Sequence, residues 1–174
     1  DPALSRAAVD HARNMARRFI AGSNVEEVLQ SVAKLRRQGF AFTLDLLGEA
    51  VMSEREAVAY QRSYVELIEG LAPHVNEWTE NVQIDRDQFG PIPRVNVWLK
   101  LSALYSQFRP IDPQGTAEGV KKRLRPLLRS ARKRDAYVHV DMEHCAYKDL
   151  TLEIFKQVLM EDEFRDFPDV GIVI

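Results

Sequence analysis

Val95-Asn96-Val97-Trp98-Leu99-Lys100-Leu101 alternates residue by residue. Period two is the signature of a strand, because successive side chains leave on opposite faces. Val95, Val97, Leu99 and Leu101 fall on one face, and Asn96, Trp98 and Lys100 on the other. Two further stretches behave the same way. Ala136 to Asp141 sends Val138 and Val140, with Met142 after them, to one side. Tyr137, His139, Asp141 and then Glu143 go to the other. Residues 40 to 47 put Phe40, Phe42, Leu44 and Leu46 opposite Ala41, Thr43, Asp45 and Leu47, and Glu49 follows on the second face if the alternation persists. In an open doubly wound sheet, helices cover both faces and strands are apolar on both. Strands with one apolar and one polar face fit a barrel instead, with the apolar side under outer helices and the polar side inward.

Working outward, helical patterns separate the strands. Ser53-Glu54-Arg55-Glu56 is a capping box, with Ser53 as N-cap and a helix to about Glu69. A polar stretch with Pro73, Gly90, Pro91 and Pro93 reads as a loop. Thr116 to Arg134 is a strongly basic helix in which Pro126 predicts a kink or a broken start. Asp149 to Met160 is a helix with Leu152, Phe155 and Leu159 as its buried stripe and Val158 beside it. Val170 to Ile174 is a fourth strand. Ahead of the first strand come a helix over residues 3 to 20 and a second one. Ser23 is expected to cap the second through Glu26, and Gly39 to end it. The fold class expected is α/β: N-terminal helices, then the first four β/α units of a (β/α)8 TIM-like barrel. The boundaries expected are residues 1–38 for the helical lead-in and 39–174 for the barrel half.

At 174 residues, 45% hydrophobic and 29% charged, the chain can bury a core. A net charge of -2 offers no electrostatic reason to bind nucleic acid. The basic run Lys121-Lys122-Arg123-Leu124-Arg125 reads as a solvated helix face. A single cysteine, Cys145, excludes an internal disulfide and fits a reducing cytoplasm. No apolar run approaches the ~20 residues of a membrane helix. Neither a dinucleotide fingerprint nor a phosphate-loop motif is present. His11 and His74 read as surface residues.

The charged residues of the inward faces come late in each strand. Glu49, Lys100, Asp141 and Glu143 would therefore gather at the C-terminal mouth, where barrel enzymes keep their sites. A lysine facing several carboxylates there points to a site, since buried charges need partners. Two other readings remain open. His139, Asp141, Glu143 and His144 could serve a metal-dependent barrel lyase or hydrolase, although one strand supplies few ligands. The chain could also be a non-catalytic scaffold, in which case Lys100 would matter only to stability.

Three runs carry a resemblance. Phe42-Thr43-Leu44-Asp45-Leu46-Leu47-Gly48-Glu49-Ala50 resembles the first barrel strand of proline dehydrogenases, with its D-x-L-G-E-A wording. Val97-Trp98-Leu99-Lys100-Leu101-Ser102-Ala103-Leu104 resembles the second, with K-L-S-A-L. Val138-His139-Val140-Asp141-Met142-Glu143 resembles the third, with D-x-E. Order and spacing agree over nearly the whole chain, and the wording is closest to the bifunctional proline utilization A group.

The resemblance implies FAD at the barrel mouth and oxidation of L-proline to 1-pyrroline-5-carboxylate. It implies a quinone as electron acceptor and an aldehyde dehydrogenase domain downstream in the full protein. The expected location is the cytoplasm or the inner membrane face. Lys100 would bind the proline carboxylate and lie at the cofactor. Asp141 would lie near substrate and flavin. Glu49 would pair with an arginine of the last barrel helix and gate the pocket. His144-Cys145-Ala146 departs from the acidic residues many relatives carry after D-x-E. The chain also ends inside its fourth strand, so the reading is of a fragment whose C-terminal barrel half and remaining FAD contacts lie elsewhere. Activity from the fragment alone is not expected.

Overall fold

The computed structural model describes residues 20–142 and 144–173. The helix expected over residues 3 to 20 (Ile20 apart), His11 and Glu143 lie outside the described residues. The chain divides into two compact units, Asp1–Phe40 and Ala41–Ile174.

In the first unit, helix α1 spans Val25–Arg37. Its N-cap is Asn24 rather than Ser23, and the partner glutamate is Glu27 rather than Glu26. Asn24 Oδ1 accepts from Glu27 N at 3.0 Å, while Ser23 N donates to Glu27 Oε2 at 2.7 Å. Either residue type can cap; the one-residue shift makes Val25 the first helical residue. Gly39 does end the helix. At φ 82° it adopts the left-handed conformation that lets Gly39 N reach Arg36 O and Phe40 N reach Leu35 O. These are the two bonds of a Schellman turn. Phe40, expected on an apolar face, is 59% exposed.

The second unit is built on four strands: β1 (Leu44–Asp45), β4 (Val95–Lys100), β5 (Ala136–Asp141) and β6 (Val170–Ile172). All neighbours pair parallel in the order β1-β4-β5-β6. This is the arrangement of consecutive barrel strands, and the one-faced pattern is its cause. Val95, Val97, Leu99, Ala136, Val138 and Val140 are all fully buried, whereas Asn96, Trp98, Tyr137, His139 and Asp141 are only partly covered. Burying a valine or leucine side chain contributes roughly 1.5–3 kcal/mol, so a slip of one residue would reverse the burial of every side chain in the strand.

Helices α2 (Glu54–Val75), α3 (Pro113–Lys133) and α4 (Lys148–Leu159) cover the apolar side. The Ser53 capping box forms as the sequence predicts, with Glu56 N on Ser53 Oγ and Ser53 N on Glu56 Oε2. The helix runs past the expected Glu69, and Pro73 lies inside its last turn rather than in a loop. Pro126 likewise sits within α3, which starts three residues early at Pro113 under an Asp112 cap and is not broken. The stripe expected on α4 is rotated. Leu150, Thr151, Ile154 and Val158 are buried, while Leu152, Phe155 and Leu159 are only partly so. Ile154 and Val158 continue Leu150 at i+4 spacing; Leu150 and Ile154 line a cleft with Pro113, Ala117 and Lys121 of α3, while Phe155, Val158 and Leu159 line one with Val140 and Val170 of the sheet.

Two elements depart from the expected layout. The stretch read as a loop contains a small antiparallel hairpin, β2 (Arg86–Asp87) with β3 (Gly90–Pro91). Asp87 Oδ1 accepts from Phe89 N and Gly90 N and closes its turn. The basic run on α3 is not a solvated face throughout: Arg123 is 7% exposed. Its guanidinium donates to Leu104 O at 3.0 Å and pairs with Glu54. Arg125 instead makes a two-bond pair with Glu161 at 2.9 Å for each bond.

Candidate active site at the C-terminal end of the sheet

Lys100 is the last residue of β4 and is 8% exposed. Strand alternation turns it away from the helices, to the side of Asn96 and Trp98. Its ammonium meets two carboxylates, Asp45 Oδ2 at 3.3 Å and Glu49 Oε1 at 3.4 Å. Asp45 ends β1, and Glu49 lies in the loop that follows. Asp141, the last residue of β5, stands opposite Lys100 in the parallel register. Glu49, Lys100 and Asp141 thus lie at the C-terminal ends of adjacent strands, and the first two are in contact. Beneath them on the same face, the Trp98 and His139 rings lie 5.1 Å apart. His139 Nε2 and Asn96 Oδ1 are buried polar atoms with no hydrogen-bond partner.

The chain just after Lys100 is held in place. Leu101–Leu104 forms a 3-10 turn whose last carbonyl accepts from Arg123. Glu54, at the start of α2, pairs with Arg123 and takes hydrogen bonds from Ser106 N at 3.1 Å and Ser106 Oγ at 2.8 Å. One arginine and one glutamate therefore tie the exit of β4, the start of α2 and the middle of α3 together.

The family model described as proline dehydrogenase matches residues 28–174. The chain belongs to the proline dehydrogenase family. Among solved structures, it superposes on a proline utilization A from Bdellovibrio bacteriovorus inactivated by N-propargylglycine, with a TM-score of 0.94 and 40% identity. That match covers 98% of this chain and 18% of the other. The bifunctional protein PutA of Escherichia coli is 29% identical over 173 residues, 98% of this chain and 12% of that protein. Proline dehydrogenase 1 of Bacillus subtilis subsp. natto is 30% identical over 159 residues, 91% of this chain and 43% of that enzyme. The chain therefore spans less than half the length of each of these relatives.

Within this proline dehydrogenase domain, the ionisable groups around Lys100 are tuned by their neighbours. Hydrogen bonding from its own backbone amide holds the Glu49 carboxyl below its ordinary value; partial burial opposes this, and the Lys100 charge and Gly48 N–H assist it. Burial pushes the Tyr60 hydroxyl up to about 12, and it raises Tyr64 as well. Both phenols are neutral hydrogen-bonding groups at physiological pH.

Sequence reasoning missed four participants. Asp45 was placed on the inward face and inside the D-x-L-G-E-A run without being given a role, yet it is a direct partner of Lys100. Tyr60 and Tyr64, four residues apart on α2, are joined by a 3.3 Å contact between their hydroxyls. Tyr64 also reaches Asp45 Oδ1 at 3.2 Å. Their i, i+4 spacing was a usable sign of a shared helix face. Arg123 was hidden inside a basic run. Among the described residues, no group of three or more His, Cys, Asp or Glu could hold a metal ion. Cys145 is exposed and free, His74 is exposed, and no helix among the described residues is long and apolar enough to cross a membrane.

Proposed function

We propose that this chain contributes the first four strands of an active site that oxidises L-proline to 1-pyrroline-5-carboxylate. In the reaction, C5 of proline gives up a hydride, the ring nitrogen gives up a proton, and a C=N bond forms. The observation that carries the reading is the Lys100 ammonium, held at the strand end by Asp45 and Glu49 in a chain of the proline dehydrogenase family. A fixed cation there suits a small substrate whose one permanent anion is a carboxylate.

The residues present fit a flat cofactor with hydrogen-bonding edges. The orphaned His139 Nε2 and Asn96 Oδ1 lie on the inward face, and Lys100 and Asp141 stand at its upper end. We assign the cofactor as FAD, which when bound supplies the acceptor for the hydride. Lys100 binds and orients the substrate carboxylate and borders the cofactor. Asp141 sets the placement of substrate and cofactor against each other. Glu49 gates the mouth by exchanging its Lys100 contact for an arginine on a later helix. We assign residues 1–38 as a helical lead-in and 39–174 as the barrel half. The electrons pass to a quinone at the inner membrane face of the cytoplasm, and an aldehyde dehydrogenase domain downstream consumes the product.

The test is to purify the full-length protein, look for flavin absorbance near ~450 nm, and supply L-proline as the only electron donor to a redox dye. Dye reduction that depends on both proline and Lys100 is the expected result. A folded, flavin-loaded protein that ignores proline would overturn the assignment.

A further inference from the structure

Tyr64 is fully buried, and its hydroxyl lies between two strands. It accepts from Leu46 N at 3.2 Å and contacts the carbonyl of Trp98. Asp45 and Trp98 are the last registered pair of β1 with β4, and the phenol meets the backbone of both strands beside that pair. β1 stops at Asp45, and the chain runs on into the loop that carries Glu49. The same hydroxyl lies 3.2 Å from Asp45 Oδ1, and Tyr60 OH lies 3.3 Å behind it.

A phenol has one proton to donate and two lone pairs to accept with. Leu46 N–H and the Tyr60 hydroxyl can fill the lone pairs, leaving the proton for Trp98 O or Asp45 Oδ1. The other oxygen of Asp45, Oδ2, holds Lys100 Nζ. The carboxylate thus shares, with the Trp98 carbonyl, the proton of a buried, uncharged phenol on one side and meets the ammonium on the other. Glu49 carries no such phenol anchor among the described residues: beside Lys100, its carboxylate is met by its own backbone amide and by the neighbouring Gly48 N. Asp45 is the fixed counter-ion of Lys100, and its orientation is set from α2.

We infer that Tyr64 is a positioning residue for Lys100, acting through Asp45: its hydroxyl aims the carboxylate that aims the ammonium. The inference rests on the proposed role of Lys100 in binding a substrate carboxylate. Tyr64 stands in the helix layer, on α2, and its hydroxyl reaches Lys100 through Asp45.

The test uses the full-length, flavin-loaded protein and two unreactive probes. Cyclopentanecarboxylate keeps the ring and the anion but has no amine to oxidise, and cyclopentanecarboxamide lacks the charge. Tyr64→Phe keeps the ring and removes only the hydroxyl. It is expected to weaken cyclopentanecarboxylate binding about three- to tenfold, the effect of one neutral hydrogen bond, and to leave the carboxamide unchanged. In an Asp45→Ala background, the same Tyr64→Phe change should have no further effect on the carboxylate, because the link it works through is gone. Equal weakening of both probes would mean general loosening of the site and would overturn the inference. So would full additivity of the two substitutions, or an unchanged carboxylate affinity in Tyr64→Phe. If Tyr64→Phe does not fold, Asp45→Asn decides. It replaces a half-exposed group and removes one acceptor from the ammonium, so an unaltered ratio of carboxylate to carboxamide affinity would overturn the inference. Lys100→Met separates the two levels. If it leaves carboxylate binding unchanged, the proposed function is at fault; if it abolishes binding while Tyr64→Phe does nothing, only the positioning claim fails.

Discussion

Replacing Lys100 with methionine keeps most of the side-chain volume and removes the charge. Two costs to substrate binding follow from the geometry. The first is the charge-assisted hydrogen bond to the proline carboxylate, about 1.5–3 kcal/mol. The second is electrostatic. Asp45 and Glu49 lie 3.3 and 3.4 Å from the ammonium and would be left facing the incoming anion without it. Two like charges about 7 Å apart repel by about 2 kcal/mol at an effective dielectric of about 20. The Asp45 and Glu49 side chains are 38% and 33% exposed, so solvent reduces this term to about 1 kcal/mol. Together the costs come to about 3 kcal/mol, or a KM for proline raised on the order of a hundredfold. kcat at saturating proline should change far less, because a carboxylate contact is made in ground and transition states alike.

The fold should survive Lys100→Met, since both carboxylates can reach water once the ammonium is gone. The assay is steady-state dye reduction over a wide proline range in the full-length protein, with flavin content measured on the same sample. A change in KM under about threefold, in a protein that keeps its flavin, would refute the reasoning.

Three further outcomes are expected. Asp141→Ala should lower kcat/KM more than it raises KM, read from the same assay, because misplacing substrate against cofactor acts on the chemical step. Leu127→Ala, which truncates a fully buried α3 side chain, should cost about 2–5 kcal/mol and lower the thermal midpoint measured by circular dichroism. Glu69 should make stability acid-sensitive: Arg134 holds its carboxyl below the ordinary 4.5, burial opposes this, and Ser130 assists it. A carboxyl depressed in the folded state contributes stability above its unfolded pKa and loses it as pH falls through the folded value. Urea midpoints should therefore hold from roughly pH 7 to 5, fall below that, and fall less in Glu69→Gln.

The strand faces were legible because alternation is local. Val95, Val97 and Leu99 against Asn96, Trp98 and Lys100 need no knowledge of the rest of the chain, and the same is true of the Ser53 capping box and Gly39. Those patterns determined a parallel sheet with one helix-covered face and an inward row of charges, and three short runs in order pointed to the family. Where the sequence reading slipped, the competing influence was tertiary. Pro73 and Pro126 are tolerated because the helices around them are packed on the sheet, and the α4 stripe is set by how the helix rests against α3 as well as the sheet.

Tertiary structure alone decided who touches whom around Lys100. Arg123 looked like one more charge on a basic helix until its partner 69 residues away, Glu54, was in place. Tyr64 was not singled out in the sequence, yet its hydroxyl joins Asp45, 19 residues back, to the Trp98 carbonyl, 34 residues on. Periodicity reports which way a side chain points, because that depends on the backbone of a few neighbouring residues. It does not report which polar atoms meet across elements, because that depends on the register and depth at which separate elements come to rest against each other.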